Sequence, residues 1–207
     1  MKPIVSIGGG VLLLTISVCG LIHGIRAGLA QAIYHETKFG EDVEENDPLA
    51  VSRRCAYAHR LYPHNYLFCI WTAEKAYYNR FRPNGKERQD YLDTAKVWSD
   101  IGLNLNFYKS SLRLLKTRLL KRDSPAAAIT YWEKYVDWQF WEPYNHAVLV
   151  KLYAAAGNFG KAMESLTWVE GSKHHADAYQ KLRDAWQHEM ALPKEAHGGT
   201  PAKHPQR

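Results

Sequence analysis

The chain has 207 residues, of which 46% are hydrophobic and 13% aromatic, and it carries a formal charge of +6. That length builds one domain of ordinary size with an appendage, and the hydrophobic fraction excludes a disordered chain. Three cysteines without paired CxxC spacing exclude a disulfide scaffold and a structural zinc site, and the positive charge alone does not choose among an acidic partner, a phospholipid surface and nucleic acid.

Between Lys2 and Arg26 lie 23 residues, Pro3 to Ile25, with no formal charge. As a helix they span roughly 35 Å, slightly more than the ~30 Å hydrocarbon core of a bilayer. The segment reads as a retained single-pass anchor. A cleaved signal peptide, with Lys2 as its basic start and Ala30-Gln31-Ala32 at its cleavage site, is the competing reading, and the length of the apolar run stands against it. Val18 is too large to precede a lipidated Cys19. Gly20, Gly24 and Gly28 recur every four residues and Ala32 continues the row. They form a nearly flat face that lets another transmembrane helix approach closely. His23 stands near one end of the span without a second ligand, so it is expected to hydrogen-bond among headgroups and no cofactor is expected. Orientation is weakly encoded, because Lys2 and Arg26 flank the span on opposite sides. A cytoplasmic N-terminus is preferred, which for a bacterial protein puts the bulk of the chain in the periplasm.

The helical pattern runs on to Phe39, making an anchor over 1–39, with Gly40 as its stop. Residues 40–47 read as an acidic linker: from Glu36 to Asp47 there are six carboxylates against Lys38. It serves as a solvated spacer or docks on the chain's own basic helix.

Over 48–190 turn punctuation recurs with helical pattern between. Tyr62-Pro63-His64-Asn65, Ile101-Gly102-Leu103-Asn104 and Glu142-Pro143-Tyr144-Asn145 place asparagines 39 and 41 residues apart, inside the window that marks a solenoid. First helices are expected at 65–80, 105–121 and 145–156, and second helices at 87–101, 125–140 and 160–170. A half-unit over 47–61 precedes them and a helix over 176–190 follows. Leu105, Tyr108, Leu112, Leu115 and Leu119 draw an apolar stripe at helical spacing. Ser124-Pro125 is a helix start, Arg82-Pro83-Asn84-Gly85 a turn, and nothing reads as a strand. The tail, 191–207, is read as disordered.

In the last unit Leu149, Tyr153, Gly157, Asn158, Phe159 and Ala162 stand in a pattern that resembles the tetratricopeptide-repeat family. Gly157 and Asn158 allow the tight turn and Ala162 lets the two helices touch. Ala58, Pro63 and Ala73 match parts of an earlier unit. The units here run longer than the family's length of about 34 residues, Val150 occupies a position where a small residue is usual, and His174 one where proline is usual. The resemblance implies an all-α fold, a right-handed stack of about 3 to 3.5 antiparallel helical hairpins, with a concave face that binds other proteins.

Lys109 to Arg122 contains six cations and no acid, and Lys109, Arg113 and Lys116 share a face by their spacing. That face is solvated or binds an acidic protein segment, the linker or anionic headgroups. Trp132, Trp138 and Trp141, with Tyr131, Tyr135 and Tyr144, are expected mainly in the core, and any exposed remainder, Trp138 and Trp141 in the first place, would form a partner-binding surface. Cys55 and Cys69 each lie seven residues from position 62, which puts them at similar height on facing helices. The pairing permits a disulfide or two buried thiols. No nucleophile elbow, phosphate loop, dinucleotide fingerprint or HExxH pair occurs, and His174, His175 and His188 are explained by an exposed turn and a helical surface. The expectation is a non-catalytic scaffold or assembly factor of the cell envelope, without metal or cofactor and not binding nucleic acid. The alternative is a permanent accessory subunit of a respiratory, photosynthetic or polysaccharide-exporting membrane complex, packed through the glycine face.

Overall fold

In the computed structural model, which describes residues 2–40, 47–81 and 85–191 with side chains from Gly8 onward, the chain is all-α. Among the described residues the helices are α1 (Lys2–Phe39), α2 (Pro48–Leu61), α3 (Tyr66–Tyr78), α4 (Gln89–Leu105), α5 (Ser110–Asp123), α6 (Pro125–Val136), α7 (Pro143–Ala155), α8 (Phe159–Thr167) and α9 (His175–Ala191). The only pairing of extended backbone among them is an isolated bridge between Phe81 and Glu87. The chain divides into two compact units, residues 1–116 and 117–207, at a point within α5. The acidic run at 41–46, the turn residues 82–84 and the tail from 192 lie outside the described residues.

In the first unit α1 is helical to Phe39, and the Gly40 amide donates to the Glu36 carbonyl at 2.8 Å. Its last turns carry Ala30, Ile33, Tyr34 and Thr37 on one side. Ala30 and Tyr34 form a core with Ala58 of α2 and Phe68 of α3, closed by Leu61, Tyr62 and Trp71. Tyr34 lies 5.1 Å from the Phe68 ring and meets Trp71 edge-on at 6.0 Å. Fully burying a side chain of the size of Phe68 stabilises by about 1.5–3 kcal/mol, so α1 is fastened to the hairpin by its C-terminal part.

The Asn65 side chain caps α3 by accepting from the Leu67 amide. Cys69, Thr72, Ala73 and Ala76 give α3 a buried face of small side chains, against which α4 packs closely. Gly102 completes that approach, since a Cβ there would stand 2.8 Å from the Cβ of Cys69. Gly102 and Asn104, expected in a turn, are therefore helical, and the chain turns later, where Asn106 accepts from the Tyr108 amide. The apolar stripe is corrected for the same reason. Leu112, Leu115 and Leu119 are buried on α5, whereas Leu105 ends α4 and Tyr108 precedes α5, both exposed.

In the second unit the Ser124 side chain accepts from the Ala127 amide to start α6, with Pro125 in the first turn as the sequence indicates. Helix α7 lies centrally and packs against α6, α8 and α9. Asn145 is buried inside α7 and is no turn residue. Its side-chain nitrogen donates to the Gln139 carbonyl, and its own carbonyl accepts from the Trp132 indole. Between α7 and α8 the Asn158 amide bonds the Tyr153 carbonyl and the Gly157 amide bonds that of Ala154. This termination needs a left-handed residue, supplied by Gly157 at φ 72°. Asn158 then caps α8 through the Lys161 amide, and Ala162 is fully buried against α7.

Candidate functional site

Three surfaces come from residues singled out in the sequence. On α1, Val11 to Leu14, Ile16, Val18, Leu21, Ile22 and Ile25 are all exposed, and the helix is long and apolar enough to cross a membrane. Near the end of this exposed apolar run, His23 meets Tyr62 edge-on at 5.7 Å and the Arg26 guanidinium donates to the Arg60 carbonyl at 3.2 Å. A Cβ at Gly20, Gly24 or Gly28 would meet nothing within 4 Å, and Ala32 is exposed. The glycine row is thus turned away from the side of α1 that carries Ala30, Tyr34 and Thr37.

The basic face is corrected. Arg113 is 1% exposed. Its Nε donates to the Phe107 carbonyl at 2.5 Å and its guanidinium lies 3.9 Å from the centre of the Phe107 ring. The loop before α5 curls back to supply both contacts, which spacing along a helix cannot reveal. Lys116 is paired with Asp100, and Lys109 is half-buried. The three residues do not form one exposed cationic surface.

The aromatic cluster separates. Trp132 is fully buried against Tyr135, while Trp138 and Trp141 are 47% and 63% exposed on the connection between α6 and α7, with Phe140 exposed beside Trp141. Of the two outcomes open to the cysteine pair, the structure has the second: Cys55 and Cys69 are buried, unbonded thiols. Burial pushes the Cys69 thiol up to about 12, with Cys55 nearby adding to the effect. The Cys55 thiol is also raised by burial, against the lowering influence of a hydrogen bond with Thr72.

A fourth surface carries no signal that the sequence reading picked up. In the second unit a cleft of about 410 Å³ is walled by Glu133 and Asp137 from the end of α6, His146 and Tyr153 from α7, and Lys161, Glu164, Ser165 and Trp168 from α8 or its cap. Within each helix these positions recur at three-, four- or seven-residue steps, so each helix turns one face inward. The Tyr153 phenol donates to Glu133, and Lys161 stands 3.7 Å from the same carboxylate and 5.4 Å from the centre of the Tyr153 ring. Burial raises the Tyr153 phenol, and the bond to Glu133 and the negative charges of Glu133, Glu164 and Asp137 raise it further. Three carboxylates therefore act on one point. The His146 ring lies flat against Trp168, centroids 5.1 Å apart and planes 11° from parallel. The spacing was legible as amphipathic helices, but that three such faces converge is tertiary information.

Among the described residues no group of three or more His, Cys, Asp or Glu side chains is placed to hold a metal ion. No protein-family model matches the chain, and no curated protein matches it significantly.

Proposed function

We propose that this protein is a membrane-anchored, TPR-like scaffold or assembly factor that binds other proteins and performs no chemistry itself. One observation carries the reading: α1 leaves its apolar side chains from Val11 to Ile25 uncovered, while its last turns are built into the core of a helical hairpin. Uncovered apolar surface of that extent on a helix needs lipid or another helix around it. The exposed Trp138, Phe140 and Trp141 support a protein-binding role, since large aromatic rings are the side chains that anchor interfaces. In a bacterial cell the helical units would stand in the periplasm.

The open glycine row favours a second reading, a permanent accessory subunit held in a larger membrane complex by close packing on Gly20, Gly24 and Gly28. Purification of the full chain in a mild detergent, with mass spectrometry of what accompanies it, tests both. Partners lost in a Gly20→Leu/Gly24→Leu variant indicate the subunit. Partners kept there but lost in Trp138→Ala/Trp141→Ala indicate the scaffold. Recovery of no stoichiometric partner from either form overturns both.

A further inference from the structure

The cleft between α6, α7 and α8 has the chemistry of a receptor for a positively charged side chain. Glu133, Asp137 and Glu164 surround it against one cation, Lys161, so it keeps an excess of negative charge. Among the described residues Lys161 pairs with Glu133 alone, which leaves Asp137 and Glu164 to a visitor.

Two polar residues, mostly buried, line the same cleft. His146 is 7% exposed, and its Nε2 lies 2.6 Å from the Phe140 carbonyl. A carbonyl only accepts, so Nε2 carries a proton and donates it there. Ser165, also 7% exposed and also on the cleft wall, makes no hydrogen bond through its hydroxyl among the described residues. The Ser165 hydroxyl is therefore open to the cleft and not sealed from it, so a donor entering there can bond it.

The aromatic wall selects the kind of donor. Trp168 is stacked on His146 by one face and is more than half exposed, so an indole surface borders the carboxylates. A planar guanidinium can stack on an indole while its N–H fork bonds carboxylates, which a lysine ammonium does less well. Among the described residues the carboxylates are not grouped to hold a metal ion. We propose that this cleft binds an arginine side chain presented by an extended segment of a partner protein. The proposal rests on the scaffold reading above and adds the chemistry of its partner.

The test uses the full chain in nanodiscs of neutral phosphatidylcholine and a fluorescent peptide, acetyl-Gly-Arg-Gly-Arg-Gly-amide, read by anisotropy. Binding is expected, with Glu-for-Arg and Gln-for-Arg peptides at least about tenfold weaker. Asp137→Asn/Glu164→Gln should weaken the arginine peptide by about tenfold, and Trp168→Ala by several-fold, with circular dichroism unchanged. Lys161→Met, which removes the competing cation, should tighten it. Equal binding of the glutamate peptide, or indifference of the arginine peptide to the double carboxylate substitution, overturns the proposal. Tighter binding after Lys194→Gln/Lys203→Gln/Arg207→Gln would assign the cleft to the chain's own C-terminal cations and overturn the partner assignment. The two readings fail separately. Copurifying partners with no peptide binding remove the cleft and keep the scaffold, and peptide binding without copurifying partners does the reverse.

Discussion

Gly102 of α4 and Cys69 of α3 approach so closely that a Cβ on the glycine would lie 2.8 Å from that of the cysteine, and 2.5 Å from Leu112 Cδ1. The Leu112 side chain can rotate, but the Cys69 Cβ is fixed to its backbone. Gly102→Ala gains about 1 kcal/mol of helix propensity and loses about 1–3 kcal/mol to overpacking. Net destabilisation is expected in urea denaturation of the detergent-solubilised chain, larger still for Gly102→Val. A more stable alanine variant would mean that the two helices can separate at no cost.

Buried thiols with raised pKa values hold little thiolate near neutrality. Cys55 and Cys69 should therefore resist iodoacetamide at pH 8 in the folded protein and react within minutes in urea. Peptide mapping after a short pulse reads both sites. Rapid native labelling of Cys69 would contradict the burial.

Tyr91 of α4 donates its phenol proton to Asp47, ahead of α2. Burial is the largest cause that raises this phenol to about 12, and the Asp47 bond adds to it. A raised folded pKa means that the fold favours the protonated form. The contribution is fully present below the ordinary value near 10 and is lost as pH rises from there through 12. Tyr91→Phe should cost about 1 kcal/mol at pH 8, and the gap between variant and parent should narrow above pH 10.

Arg113 and Lys109 were alike in the sequence and differ in the structure. Arg113→Ala removes a buried, charge-assisted bond to the Phe107 carbonyl and is expected to cost about 2 kcal/mol. Lys109→Ala should stay within about 0.5 kcal/mol. Equal effects in thermal denaturation would restore a common exposed face.

The tryptophans divide in the same manner. Trp132→Ala opens the core beside Tyr135 and should cost about 3–5 kcal/mol. Trp138→Ala/Trp141→Ala should leave the melting temperature nearly unchanged while reducing partner recovery, which quantitative mass spectrometry of the purified material would read.

Local chemistry made the helix limits legible. Ser124-Pro125, Gly157-Asn158 and Phe39-Gly40 carry their boundaries in their own side chains or backbone freedom, and each boundary lies where these residues indicate. Gly102 misled because a glycine that admits a neighbouring helix looks, in one dimension, like a glycine that turns the chain. Arg113 misled because its partner is the loop that precedes its own helix. The acidic cleft went unread because its carboxylates come from separate helices, each of which presents an ordinary charged face.

The continuity of α1 would turn any grip on its apolar N-terminal part into an angular setting for the first hairpin. Thirty-eight helical residues measure about 57 Å, nearly twice the hydrocarbon thickness of ~30 Å, and the far end is locked to Ala58 and Phe68. The helix then works as a keyed shaft. One alanine inserted between Arg26 and Leu29 would rotate the α2–α3 hairpin by about 100° and raise it by about 1.5 Å relative to whatever grips the span. A pliable tether would absorb that insertion unnoticed, whereas here the phase of a single helix decides which way the first hairpin faces.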